Sequence, residues 1–181
     1  QLTQLTTVIP YFQAFMERFP TLRDLAEAPV DDVLGHWSGL GYYARARNLQ
    51  KAAIQVMEDH GGEFPRDQEA LEALPGIGRS TAAAIIAQAW NQRAVILDGN
   101  VKRVLARYHA VPGWPGQTAT LNALWQHAED HTPNTRPRDY TQAIMDLGAR
   151  VCTRSRPDCE RCPVSDGCVA YANGEIHLYP G

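Results

Sequence analysis

The chain has 181 residues, enough for one domain or two small lobes that bury a core of their own. Its apolar fraction of 44% is ordinary for a globular protein, and no apolar run approaches the ~20 residues that a membrane span needs. The formal net charge of −3 excludes a strongly basic nucleic-acid binder, but the arginines and lysines fall in short groups. Such grouping gives either one basic face or several solvated helix faces, and charge alone leaves both open.

Helical patterns begin near the N-terminus. Thr21 and Asp24 form a helix-start signal directly after a proline. Between residues 49 and 57 the apolar residues recur at i, i+3, i+4, i+7 and i+8, which predicts one stripe of an amphipathic helix. Gly61 and Gly62 are expected to end that helix.

Three more helices are predicted further along the chain. Asp67 can cap a short helix over residues 68–73. Residues 80–90 are rich in alanine and isoleucine and predict a buried helix, and residues 141–151 predict another. Because alternating strand patterns are scarce, the chain is expected to be all-α, with short connections rich in glycine and proline.

A glycine-containing turn joins two of these helices over residues 74–81, with the sequence Leu-Pro-Gly-Ile-Gly-Arg-Ser-Thr. Gly76 and Gly78 allow a tight turn and a close approach of the backbone to a ligand. The N–H groups that open the following helix suit a phosphate oxygen, and such contacts position DNA without reading its sequence. An ordinary turn between helices is the alternative.

All four cysteines lie near the C-terminus with the spacing C-x6-C-x2-C-x5-C: Cys152, Cys159, Cys162 and Cys168. Four thiolates supplied by so short a segment can converge on one metal centre, and both tetrahedral zinc and a 4Fe-4S cluster accept them. Zinc sites usually combine two close cysteine pairs, whereas only one pair is close here, which favours the cluster. Two disulfides are the remaining alternative.

Together, the turn and the cysteine array resemble the helix-hairpin-helix DNA glycosylases that carry an iron–sulfur cluster. In that superfamily the hairpin is followed by a catalytic aspartate, and Asp98 matches it in Ile-Leu-Asp-Gly-Asn-Val-Lys-Arg-Val. Ser80 stands where the endonuclease III branch has a Schiff-base lysine and is typical of MutY-type adenine glycosylases. Residues 39–49 and 145–149 also resemble that type, and the resemblance extends over essentially the whole chain.

The resemblance implies a helix-hairpin-helix DNA glycosylase fold with two lobes. Residues 1–109 would form a six-helix lobe that holds the hairpin near residues 70–90 and Asp98. Residues 110–181 would form the iron–sulfur lobe, with the 4Fe-4S cluster bound by the loop 152–168. The cluster would fix that loop rather than take part in bond cleavage.

The implied chemistry is cleavage of an N-glycosidic bond through an oxocarbenium-like sugar. Asp98 would steady the cation, a role compatible with the alternative that it caps a helix. Asn100 and Ser80 would hold water or Asp98 by hydrogen bonds. Without a lysine at position 80, base removal without efficient strand cleavage is expected.

The resemblance also implies residues that contact DNA, each with a plainer alternative. Tyr42 matches an aromatic wedge, although a core tyrosine is the alternative and Tyr43 is the better core candidate. Gln142 matches a position that contacts the edge of adenine, although it can equally be a surface residue. Asp146 in the same helix is expected to bond to nearby backbone. Further expected DNA contacts come from the hairpin glycines and from Leu2, Thr3, Lys102 and Arg154.

The leading hypothesis is therefore a monofunctional adenine DNA glycosylase acting on double-stranded DNA with adenine opposite 8-oxoguanine or guanine. A glycosylase/lyase of the endonuclease III type for oxidised pyrimidines is the alternative. The family's general-acid glutamate would fall upstream of Gln1, and Leu2 replaces a wedge glutamine, so the isolated chain is expected to be weak or inactive, or only to bind DNA. We further expect a bacterial, cytoplasmic, nucleoid-associated monomer without membrane contact. In bacterial members of the family, a linker to an 8-oxoguanine-recognition domain would begin near Gly181.

Overall fold

The structure, a computed structural model, describes residues 5–181. Ten α-helices and no β-strand are present in these residues, which confirms the all-α class. The helices are α1 Leu5–Arg18, α2 Leu22–Glu27, α3 Val30–Gly35, α4 Tyr43–Asp59, α5 Gln68–Glu72, α6 Arg79–Trp90, α7 Gly99–Tyr108, α8 Thr118–His131, α9 Pro137–Asp146 and α10 Val169–Ala172. A π-helical turn covers Leu147–Val151, and short 3-10 turns cover Cys159–Arg161, Ser165–Gly167 and Ile176–Leu178.

The chain divides into two compact units, residues 1–78 and residues 79–181. The first contains α1 to α5, and the second contains α6 to α10. The lobes predicted at 1–109 and 110–181 are defined by the positions of the catalytic and cluster residues in the resembling family, and not by packing. They stay a prediction. No helix of residues 5–181 has both the length and the apolar character needed to cross a bilayer.

Two predicted helix starts in the first unit are confirmed. The Thr21 hydroxyl accepts a hydrogen bond from the backbone N–H of Asp24 at 3.1 Å, and the Asp24 carboxylate accepts one from the Thr21 N–H at 3.0 Å. This reciprocal pair satisfies two N–H groups that a helix start otherwise leaves without partners. Asp67 caps α5 by accepting from the N–H of Ala70 at 2.9 Å.

The predicted stripe of α4 is correct in part. Ala52, Ala53 and Val56 are buried, but Leu49 is 39% exposed. The neighbouring Gln50 is buried instead, with 5% of its surface exposed.

The buried Gln50 amide bonds to the first unit's backbone. Its Nε2 donates to the carbonyl of Leu25 at 3.2 Å and to that of Ala28 at 2.6 Å. These carbonyls lie near the end of α2, where helical partners run out. A polar side chain is stable in this core because its donor is satisfied.

The second unit is built around α7, which packs with α8 and α9. Its core contains Val101, Val104, Leu105, Leu124 and Ile144. The helix predicted over 141–151 begins earlier than expected, at Pro137; its α-helical part ends at Asp146, and a π-helical turn continues it to Val151, where the predicted helix ends. Proline is well suited to the first helical turn, and the wider π-helical turn that follows leads directly into Cys152.

Candidate active site and cysteine loop

Asp98 lies where a buried extended segment meets the start of α7. Ile96 and Leu97 are buried, Asp98 is half-buried, and its backbone is extended as the N-cap of the helix. Its Oδ1 accepts a hydrogen bond from the N–H of Val101 at 2.8 Å. The capping role is therefore confirmed, and it fixes the carboxylate in one orientation beside the positive end of α7.

Ser80 and Asn100 both form hydrogen bonds with residues that are near Asp98 in sequence. The Ser80 hydroxyl accepts from the N–H of Leu97 at 3.1 Å, which ties the start of α6 to the residue before Asp98. The side-chain oxygen of Asn100 accepts from the Arg103 guanidinium at 2.8 Å. That these two residues hold water or Asp98 itself stays a prediction.

Arg103 connects the start of α7 to the segment that enters the cysteine loop. Besides Asn100, its guanidinium donates to the carbonyl of Cys152 at 2.8 Å and to that of Gly148 at 2.6 Å. Burial lowers the pKa of Arg103, and the neighbouring Cys152 and Asp98 act in the opposite direction. The arginine thus fixes the start of α7 relative to the π-helical turn and Cys152, through charged hydrogen bonds to three oxygens.

Arg107 lies one helical turn further along α7 and is only 4% exposed. Its guanidinium donates to the carbonyls of Thr153, Arg154 and Tyr179 at 2.8, 3.1 and 2.9 Å. Its Nη1 also donates to the sulfur of Cys152 at 3.4 Å. In the sequence Arg107 is only one of the grouped basic residues. The signal for its structural role is that it lies on the apolar stripe of α7.

The four cysteines line one small cavity together with Pro157 and Ile176. No disulfide joins any of the four, so the disulfide alternative is wrong. Burial raises the pKa of the Cys168 thiol and, together with the neighbouring cysteines, that of Cys159. In residues 5–181 no group of three or more His, Cys, Asp or Glu side chains is placed to hold a metal ion directly. The four donors share a cavity without converging on one ion position, and their chemistry fits an iron–sulfur centre.

Tyr42 is displayed on the surface of the first unit. Its backbone is left-handed, with φ 52° and ψ 47°, and its side chain is 62% exposed. The alternative of a core tyrosine is therefore wrong. It is also wrong for Tyr43, which is 41% exposed and whose hydroxyl accepts from the N–H of Gly39 at 3.4 Å.

The two hairpin glycines differ in their surroundings. Gly76 has φ +77°, and a Cβ added there would lie 2.8 Å from the Cβ of Asn48. At Gly78 an added Cβ would meet no atom within 4 Å. Gly76 is thus required by the fold of the first unit, whereas Gly78 is open to approach by a ligand.

Gln142 is exposed on α9 and is held by two other side chains. Its Oε1 accepts from Nε2 of Gln88 on α6 at 3.2 Å, and its own Nε2 donates to Oδ1 of Asp146 at 3.1 Å. The expectation that Asp146 bonds to nearby backbone is therefore wrong, since the bond shown goes to the Gln142 amide.

The other predicted DNA contacts differ in their exposure. The Arg154 side chain is exposed while its carbonyl is held by Arg107, and Lys102 is half-buried on α7. Leu2 and Thr3 lie outside the described residues.

Comparison with known protein families assigns the chain. Residues 1–130 match the profile of the HhH-GPD superfamily of base excision DNA repair proteins. The chain belongs to this superfamily. Residues 152–168 match the iron–sulfur binding domain of endonuclease III, so this helix-hairpin-helix protein carries a 4Fe-4S cluster, as the cysteine spacing predicted.

Several curated relatives are named adenine DNA glycosylase. The protein of Mus musculus is 45% identical over 185 residues, covering 100% of this chain and 36% of the relative. The human protein is 47% identical over 171 residues, covering 94% and 31%. The protein of Buchnera aphidicola subsp. Baizongia pistaciae is 42% identical over 176 residues, covering 97% and 50%. The chain thus spans between 31% and 50% of these relatives' lengths.

Solved structures support the same fold. A thermostable thymine-DNA glycosylase superposes with a TM-score of 0.83 at 30% identity, covering 96% of this chain and 80% of that one. An endonuclease III–DNA complex superposes with a TM-score of 0.77 at 24% identity, covering 93% and 78%. The helix-hairpin-helix glycosylase fold predicted from the sequence is confirmed.

Proposed function

We propose that the chain is the catalytic core of an adenine DNA glycosylase, which removes adenine mispaired with 8-oxoguanine or guanine from double-stranded DNA. The observation that carries this proposal is the carboxylate of Asp98, half-buried and oriented by its bond to Val101. The relatives named adenine DNA glycosylase support the choice of adenine as the base.

The proposed chemistry follows from where charge develops. As the bond from adenine to the sugar breaks, the sugar becomes cation-like, and a fixed carboxylate nearby stabilises it by several kcal/mol relative to water. Asp98 supplies that charge without reorganising, because its capping bond already fixes its orientation. Ser80 offers a hydroxyl and not an amine, so the reaction ends at the abasic site.

The remaining residues are proposed to bind DNA and the cluster. Tyr42 would enter the stack beside the lesion, the hairpin at Gly78 would approach a phosphate, and Lys102 and Arg154 would neutralise others. Cys152, Cys159, Cys162 and Cys168 would ligate the 4Fe-4S cluster, which holds the loop that carries Arg154. The protein would act as a monomer in the bacterial cytoplasm, on the DNA of the nucleoid.

The first experiment measures single-turnover release of adenine from a duplex with adenine opposite 8-oxoguanine. This chain is compared with a version extended upstream of Gln1 through the family's general-acid glutamate. We expect strong release from the extended version and release weaker by about 10²–10⁴-fold from this chain. Release from neither version would overturn the proposal, and DNA binding without release would leave a binding module.

A glycosylase/lyase for oxidised pyrimidines is the second candidate, favoured by the similarity to the endonuclease III and thymine-DNA glycosylase structures. Such an enzyme forms a Schiff base through a lysine, whereas Ser80 occupies the corresponding place here. Borohydride trapping on duplexes with thymine glycol separates the two. A trapped covalent complex supports the lyase, and its absence beside adenine release supports the adenine glycosylase.

A further inference from the structure

Three side chains in the second unit form a continuous chain of hydrogen bonds between α6 and α9. Gln88 donates to the side-chain oxygen of Gln142 at 3.2 Å, and Gln142 donates to the Asp146 carboxylate at 3.1 Å. Gln88 and Gln142 are 54 residues apart in sequence, so the fold and not local spacing brings them together.

The Asp146 carboxylate at one end of this series of hydrogen bonds determines which group donates and which accepts in each bond. An amide can present either its oxygen or its NH2 group to a neighbour, and a free glutamine exchanges the two by a half-turn. The Asp146 carboxylate only accepts hydrogen bonds, so the NH2 group of Gln142 must face it. The oxygen of Gln142 then faces α6, where Gln88 supplies an N–H.

After these two bonds, the Gln142 amide retains one N–H donor and one oxygen lone pair, and the amide cannot turn over to exchange their positions. Adenine offers a matching donor and acceptor side by side on one edge, the arrangement that amides read bidentately. Hypoxanthine carries an oxygen acceptor in place of the adenine amino donor. An amide that cannot turn over therefore distinguishes the two bases, while one that turns freely can suit either.

We propose that Gln88 and Asp146 are positioning residues that lock the amide of Gln142 for adenine and against hypoxanthine. The inference rests on the proposed function and on the expectation from the sequence that Gln142 contacts the edge of adenine. It adds a specificity determinant on α6, outside the helix that carries Gln142.

The test measures binding, so it does not depend on cleavage. Duplexes carry uncleavable 2′-fluoro analogues of deoxyadenosine or deoxyinosine opposite 8-oxoguanine. The ratio of the two dissociation constants is measured for the cluster-loaded, N-terminally extended protein and its variants. Gln88→Ala keeps a good helix former on α6 and removes the donor to Gln142. Gln88→Glu replaces that donor with an acceptor that opposes the oxygen of Gln142.

The matched control is Gln126→Ala, which breaks a bond from Gln126 to Asp130 at 2.9 Å, also four residues apart on one helix. We expect Gln88→Ala to reduce the preference for adenine by about tenfold, Gln88→Glu to reduce it further, and the control to leave it unchanged. Asp146→Asn permits both amide orientations and should reduce the preference as Gln88→Ala does. Thermal unfolding of each variant checks that the fold is kept.

The outcomes separate the two proposals. An unchanged ratio in Gln88→Ala and Asp146→Asn overturns the positioning role, whatever the activity of the protein. Equal binding of both duplexes by the unmodified protein also overturns it. A reduced ratio in a protein that releases no adenine supports the positioning role and overturns the proposed activity.

Discussion

Asp67 and Asp98 begin helices in the same way but in different surroundings. Each aspartate accepts a hydrogen bond from the backbone N–H three residues later, at 2.9 Å for Asp67 and 2.8 Å for Asp98. Asp67 is exposed, whereas Asp98 is half-buried, follows two buried residues and lies close enough to Arg103 to affect its pKa. Capping is thus a local interaction that an exposed aspartate can also make. Asp98 differs from Asp67 in its partial burial and in its proximity to Arg103.

The largest expected effect comes from removing the charge while keeping the cap. Asparagine caps a helix about as well as aspartate, so Asp98→Asn should fold normally. It should lose adenine release by about 10³-fold in single-turnover assays of the extended protein, because the developing cation loses its counter-charge. Asp67→Asn is the matched control and should keep full activity. Release within tenfold of the parent by Asp98→Asn would show that Asp98 is only a cap.

The next effect concerns the opposite end of α7, where Arg107 is buried against the cysteine loop. Arg107→Gln shortens the side chain and leaves carbonyls of Thr153, Arg154 and Tyr179 without their charged donor. We expect a loss of about 2–4 kcal/mol in the free energy of unfolding, and less cluster per protein by visible absorbance. The exposed Arg156→Gln serves as the control. Equal cluster content in both variants would contradict this role.

A smaller effect is expected where the π-helical turn meets the start of α7. A Cβ added at Gly148 would lie 2.7 Å from the Cβ of Asn100 and 3.0 Å from its backbone oxygen. Gly148→Ala should therefore displace the first turn of α7 and destabilise the protein by about 1–3 kcal/mol in urea unfolding. Gly99→Ala, where the added Cβ meets no atom within 4 Å, should be neutral. Similar unfolding midpoints for the two variants would show that Asn100 moves away from the added Cβ without a loss of stability.

The smallest effect depends on pH and lies at His109, the C-capping residue that follows α7. Its ring stacks on that of His127 at 3.7 Å between centroids, and its Nε2 lies 2.7 Å from that of His131. Burial, then repulsion from these two histidines, lowers the pKa of His109 from 6.5 to about 4, and Asp130 opposes the shift. The unfolded chain therefore binds more protons between pH 6.5 and about 4, so stability falls as pH falls through that window.

His109→Gln should weaken this acid sensitivity, measured as the difference in urea midpoint between pH 7 and pH 5. The exposed His177→Gln is the control and should retain the full difference. A His109→Gln variant as acid-sensitive as the parent would assign the effect to other groups.

Sequence reasoning succeeded where the determining contacts are local. The caps at Thr21 and Asp67 and the iron–sulfur cluster favoured by the cysteine loop follow from spacings of a few residues, which side-chain reach and backbone geometry constrain. The identity of the family followed from the hairpin and the cysteine loop together.

It failed where a polar side chain finds its partner far along the chain. Gln50 bonds to a carbonyl 25 residues away, and Arg107 bonds to one 72 residues away. Periodicity places apolar residues on a helix face, but it cannot show that a glutamine or arginine on that face will meet unsatisfied carbonyls. The link from Gln88 to Gln142 belongs to the same class, since neither residue has a local signal.

The left-handed backbone of Tyr42 has an evolutionary consequence. A tyrosine with φ 52° is strained by about 1–3 kcal/mol, and with 62% of its side chain exposed it recovers little of that by burial. Glycine would adopt the same backbone without strain. A library of this gene selected only for heat resistance should therefore drift towards glycine or asparagine at position 42, whereas selection for the DNA contact proposed for Tyr42 should retain an aromatic residue.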